Sequence, residues 1–245
     1  IRKDTSVGAF NSKYFNEVFV GFHLAGPPEN TWYWNIDGKY YLLGYYQNNF
    51  NLNATFARTV FKNYRMGISG SVRNNNPSYY HNNYSSAFFK WQNDFKASQL
   101  IRAEAFLENN EKKFDARFQT GTWTNYLYWD ENALPDQAEQ AILIFSGIIK
   151  SHLSAGGFHS INQIMAQYTT NNNIIRVPLL AATTSNYYER DFFNNALKAQ
   201  IGFTLFISTP YKAHAYMPAT GVFYLQNDET IGGLPFLDAY FGICI

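Results

Sequence analysis

The sequence predicts an all-β fold, an antiparallel transmembrane β-barrel, on three observations. Segment after segment alternates apolar and polar side chains, the mark of a strand that separates two environments. The alternating runs are roughly nine to twelve residues long, enough to cross a bilayer at a tilt, whereas strands of soluble proteins average about five or six. Aromatic residues make up 19% of the chain and charged residues 15%, a balance that suits interfacial girdles and a lipid-facing band better than a water-exposed surface. No apolar run reaches the ~18 residues of a membrane helix, so a helical span is excluded, while barrel strands pass unseen through a hydropathy scan.

The elements follow in order. Val18, Val20, Phe22 and Leu24 oppose Glu17, Gly21 and His23; Trp34, Ile36, Gly38, Tyr40 and Leu42 oppose Asn35, Asp37, Lys39 and Tyr41. In NFNLNATFAR, Phe50, Leu52, Ala54 and Phe56 face away from Asn51, Asn53 and Thr55. Tyr64, Met66, Ile68 and Val72 oppose Arg65, Gly67, Ser69, Ser71 and Arg73. Ile101, Ala103, Ala105 and Leu107 then oppose Arg102 and Glu104, and Phe114, Ala116 and Phe118 oppose Asp115, Arg117 and Gln119. Leu197 to Ile207 alternates with Lys198, Gln200, Gly202 and Thr204, and the chain ends in Leu237, Ala239, Phe241, Ile243 and Ile245 against Asp238 and Gly242. Less regular segments near 84–94, 139–151, 157–168, 175–184 and 212–225 bring the expectation to roughly 12–14 strands.

Turn material punctuates these runs at GPPEN, YQNN, FKN and ENNEK, and longer polar, Tyr-rich connections stand at NNNPSYYHNNY, WTNYLYWDENALPDQ and YTTNNN. Short and long connections alternate imperfectly on this reading, so neither rim is assigned to the cell exterior. If the ENNEK hairpin is centred on Asn109-Asn110, Glu104 faces Asp115 and Arg102 faces Arg117, with opposite charges on the diagonals.

The 19 basic residues are balanced by 18 acidic ones, for a net charge of +1, which excludes a nucleic-acid binder of the basic-patch kind. The single Cys244 allows no internal disulfide. The five histidines are scattered; His152 and His159, seven apart, fall on opposite faces of one strand on this reading, so no metal site is expected. Ser185, Glu189 and Asp191 lack a Gly-x-Ser-x-Gly elbow, and neither an enzyme nor a cofactor is expected. NAT at 53–55 and NYS at 83–85 are chance matches in an Asn-rich chain, and the Asn runs read as solvated loops.

The C-terminal third carries a family resemblance. Arg176 to Pro178, Ser185 to Tyr188, the alternating Leu197 to Ile207, Phe223 to Asn227 and the Gly-x-x-Pro-x-x-Asp element from Gly232 to Asp238 form a succession that resembles the putative porin family of Bacteroidota outer membranes. PSYYHNNYSSAFFKW and LYWDENALPDQ fit the same pattern upstream. The resemblance implies residence in the Gram-negative outer membrane, with the bilayer and its lipopolysaccharide as surroundings. Such barrels finish on a further hairpin and an aromatic end, whereas this chain stops at GICI and opens on IRKDTSVGAF. The expectation is one barrel domain over 1–245, truncated at the C-terminus and possibly the N-terminus, with more strands in the intact protein.

The candidate functional residues are those on the polar strand faces: Asp37, Lys39, Arg65, Arg73, Lys90, Arg102, Glu104, Asp115, Arg117 and Lys198. They either solvate a filled interior or line a pore, in which case the mixture of signs predicts weak ion selectivity. Trp32, Trp34, Tyr40, Tyr45, Trp91, Trp123, Trp129 and Tyr224 are the expected aromatic girdle. Three functions compete: a diffusion porin for small hydrophilic solutes, a plugged docking subunit of a larger secretion or uptake assembly, and a soluble β-rich domain that binds carbohydrate on Tyr and Trp platforms.

Overall fold

The structure is a computed structural model that describes residues 16–26, 32–61, 63–194 and 196–244. The N-terminal lead and most of the GPPEN turn lie outside the described residues. In chain order the elements are β1 (Val18–Ala25), β2 (Trp32–Leu43), β3 (Phe50–Val60), β4 (Tyr64–Asn75), one helical turn α1 (Tyr79–Asn82), β5 (Asn83–Ser85) and β6 (Lys90–Gln92). Next come β7 (Ser98–Asn109), β8 (Phe114–Thr124), β9 (Leu127–Trp129), β10 (Pro135–Gln137), β11 (Ile142–Ala155) and β12 (Phe158–Thr169). The last are β13 (Leu180–Phe192), β14 (Leu197–Ser208), β15 (Ala215–Met217), β16 (Val222–Tyr224) and β17 (Phe236–Cys244).

Eleven strands make one antiparallel sheet in the order β1-β2-β3-β4-β7-β8-β11-β12-β13-β14-β17, a meander in which each long strand pairs with the next. Two of the expected segments, near 84–94 and 212–225, instead fold as the small hairpins β5–β6 and β15–β16 inside loops. Their aromatic and β-branched residues favour extended backbone, but each strand is three residues long, too short to span. Among the described residues β1 and β17 are not paired with each other.

The two faces differ as the alternation predicts. One face carries Val20, Phe22, Leu52, Phe56, Ile68, Ile101, Ile201 and Phe241, and these stay open: Ile68 and Ile201 are 61% exposed and Phe241 65%. An apolar band running across the whole sheet far exceeds what a soluble monomer leaves uncovered. It is interrupted on β12 and β13, where Ser160, Asn162, Thr184 and Asn186 share the outer face. They satisfy one another: Asn186 donates to Thr184 Oγ1 (2.9 Å), Thr184 to Asn162 Oδ1 (2.7 Å) and Asn162 to Ser160 Oγ (3.0 Å).

Connections alternate cleanly, which the sequence did not reveal. At one rim they are the short 61–63, 110–113, 156–157 and 193–196; at the other lie 44–49, 76–97, 125–141, 170–179 and 209–235. The β7–β8 turn is centred between Glu111 and Lys112, two residues beyond the expected point, because Asn109 Oδ1 accepts from the Lys112 amide at 2.9 Å and holds the four-residue loop. Glu104 therefore faces Gln119, Arg102 faces Gly121, and Glu108 is the residue opposite Asp115.

Asn109, at the short-turn rim, and Ala57, on β3, are buried, and most of the other buried apolar residues sit in the long-loop layer. Ala133, Ala138, Leu225 and Trp91 are buried there, and Ile142, at the root of β11, is 1% exposed. Loops from distant parts of the sheet meet in this layer: Tyr80 donates to the Thr220 carbonyl at 2.8 Å, and the Leu225 amide to the Trp129 carbonyl at 3.0 Å. The β4–β7 and β14–β17 connections are six strand spacings apart, roughly 29 Å on a flat sheet at about 4.8 Å per strand. Direct contact between them requires the sheet to curl, with the polar face inside.

Candidate functional site

The inner wall is built from the polar half of each long strand. Across β4, β7, β8 and β11 the register aligns Arg65, Glu108, Asp115 and Lys150 in one row, and Gly67, Phe106, Arg117 and Ile148 in the next. Arg117 gathers three carboxylates: Nε donates to Asp115 (3.0 Å), Nη1 to Glu104 (3.1 Å) and Nη2 to Glu108 (3.0 Å). Arg65 pairs with Glu108 from the other side, and Gln119 donates to Glu104. The Arg117 guanidinium also lies 5.3 Å from the centre of the Phe106 ring. Gly67 makes room for that ring, since a Cβ there would stand 2.5 Å from Phe106 Cζ.

The other expected wall residues are spread around the sheet. Asp37 accepts from Asn53 at 2.8 Å, and Lys39 sits over Phe19, 3.8 Å from its centroid, and near Tyr41. Arg73 and Arg102 lie on the same face, opposite Asn51 and Ser71. Near the short-turn rim Lys198 approaches Glu189 (3.4 Å) and Asp191 (3.9 Å). Lys90 is placed differently, in the exposed loop strand β6 rather than on the wall.

The aromatic set divides. Trp32, Trp34 and Tyr40 are exposed on the apolar outer face. Trp91 and Trp129 instead pack in the loop layer with Tyr80, Tyr84 and His81, and Trp91 stacks on Tyr84 at 4.5 Å between centroids. Tyr45 meets Tyr46 and Tyr79 there, Tyr224 belongs to the β15–β16 hairpin, and Trp123 lies on the inner face, donating to Ser98 Oγ at 2.7 Å. Burial lowers the pKa of His81 and, together with Arg176, that of His214; burial and the Asp136 carboxylate raise that of Tyr128. Arg176 clamps the layer through the Gln226 carbonyl and Asn227, whose amide reaches Glu131.

Three groups escaped the sequence reading. Glu108 continues the Arg102–Glu104 alternation by two further steps and was hidden by the misplaced turn. Glu189 and Asp191 share the inner face of β13 with Ser185, beyond the end of the segment near 175–184 expected as a strand. His152 and His159 lie on the two arms of one hairpin, on the same face, with Nε2 and Nδ1 3.2 Å apart. The signal was Gly156-Gly157: both have positive φ, 56° and 83°, as the two-residue turn of a tight hairpin requires.

A curled antiparallel meander with an apolar outside, a charged and polar inside and one rim of long loops defines a membrane β-barrel wall. The family model described as putative porin matches residues 5–245, and the chain belongs to that family. No curated protein matches it.

Proposed function

We propose that this protein is a diffusion porin of the Gram-negative outer membrane, passing small hydrophilic solutes along the inner wall without covalent chemistry. One observation carries the reading: β4, β7, β8 and β11 present a row of charges of both signs on the inner face, while exposed aliphatic and aromatic residues lie on the outer face of the sheet. Rows such as Arg65–Glu108–Asp115–Lys150 keep both signs in contact with water, so selectivity between ions is weak. The long loops face the exterior and the short turns the periplasm, in keeping with other outer-membrane barrels.

The loop layer favours a second reading. Bonds from Tyr80 to Thr220 and from Leu225 to Trp129 tie long loops of distant strands together, as loops would be tied in a plugged barrel that docks into a larger assembly. Swelling of proteoliposomes in sugars of graded size separates the two. A porin admits small sugars and excludes large ones; a plugged barrel admits none until the loops carrying Tyr80 and Thr220 are cut back.

A further inference from the structure

We propose that the β11–β12 hairpin holds a binding site for a divalent late first-row transition-metal ion, of the Zn2+ or Cu2+ kind, at the periplasm-side rim of the inner wall. Three atoms form a nearly equilateral triangle there. His152 Nε2 and His159 Nδ1 are 3.2 Å apart, and Ser154 Oγ stands 3.2 Å from the first and 2.9 Å from the second. Two nitrogens bound to one tetrahedral metal at about 2.0–2.1 Å lie about 3.3 Å apart, so the imidazoles already have the spacing of a shared ion. In the metal-free hairpin hydrogen bonds join these three atoms, and the ion takes the space between them.

The surroundings match what holds a ligating histidine. Tyr187 stacks on His159 at 4.6 Å with ring planes 11° apart and fixes its orientation. The other His159 nitrogen, Nε2, points toward Glu189 Oε1 at 3.7 Å, the arrangement in which a carboxylate sets the tautomer and raises the basicity of a metal-bound imidazole. Asp191 lies two residues on along the same face, while Lys198, within reach of both carboxylates, and Lys113, whose carbonyl accepts from the His152 amide, oppose a bound cation. Among the described residues no three His, Cys, Asp or Glu side chains converge. The site is therefore open: two imidazoles, the Ser154 hydroxyl as a weak third ligand, and water. Imidazole donors select zinc, copper or nickel over magnesium and calcium.

The test uses the intact protein, free of any histidine tag and folded in detergent, titrated with Zn2+ alone and with Cu2+ alone. Calorimetry reads stoichiometry, and electron paramagnetic resonance of the Cu2+ form counts coordinated nitrogens. The expected result is one ion per chain with two imidazole nitrogens. His159→Ala or His152→Ala should weaken binding at least tenfold, and Glu189→Gln about tenfold through the second nitrogen. The electrophoretic shift on heating verifies that each variant is folded, and His159→Gln replaces the alanine variant if that one fails to fold. Equal binding by the wild type and the folded double variant, or no binding by the wild type, overturns the proposal. The readout is independent of conduction, so it stands or falls apart from the porin reading.

Discussion

Arg117→Gln removes the cation that three carboxylates share. Its side chain is 32% exposed, while Glu104 and Glu108 are 11% and 12% exposed. The pairing therefore falls between a surface ion pair, worth about 0–1 kcal/mol, and a buried one, whose rupture costs about 3–5 kcal/mol. Gln can still donate one hydrogen bond, but Glu104, Glu108 and Asp115 keep only Arg65 as an ion-pair partner among the described residues. The expected loss is about 2 kcal/mol. Urea unfolding of the lipid-reconstituted protein, followed by tryptophan fluorescence, measures it. A double-mutant cycle with Glu108→Gln should return a coupling of roughly 1 kcal/mol, since the two groups touch. The same substitution takes the group from two cations and three anions to one and three, so reversal potentials should move toward cation preference. Unchanged stability and unchanged reversal potential in a folded variant would refute the shared-cation geometry.

Three further outcomes are expected. Ile68→Lys, on the exposed outer face, should cost about 2–4 kcal/mol in bilayer refolding, whereas Ser69→Lys, one residue on and facing the wall, should cost less than about 1 kcal/mol. Trp91→Ala should release about 3–5 kcal/mol of packing from the loop layer, seen as protease cleavage within 76–97 and 125–141 while the barrel keeps its heat-modifiable mobility. The folded state lowers the pKa of His81 below its ordinary 6.5, so the stability it contributes is fully present above that pH and is lost as pH falls through the folded value. Protease accessibility of the loops should rise below about pH 6.5, and His81→Gln should flatten that dependence.

The strands with strict alternation were legible because most residue pairs along β3, β4, β7, β8 and β14 set an apolar side chain on one face against a polar one on the other. β11 and β12 were blurred for a physical reason: Ile144, Ile148, Ile161 and Met165 put apolar groups on the inner face, while Ser160 and Asn162 put polar ones outside. β5–β6 and β15–β16 mimic wall strands because their cross-strand aromatic pairs, Tyr84–Trp91 and Tyr216–Phe223, have the same local chemistry. Wall residues could be assigned from parity alone, which places a side chain on a face. Which charges meet depends on hairpin register, and there a side-chain cap from Asn109 moved every pairing of β7 with β8. The loop layer was illegible, since bonds such as Tyr80 to Thr220 join residues far apart in sequence.

The most direct measurement is single-channel conductance of the intact protein in a planar bilayer, beside a variant carrying Arg65→Gln, Arg102→Gln and Arg117→Gln. A water-filled path along this wall predicts stable ohmic steps whose ion preference shifts toward cations in the variant. Electrical silence from a folded, heat-modifiable barrel, or steps indifferent to all three substitutions, would contradict it.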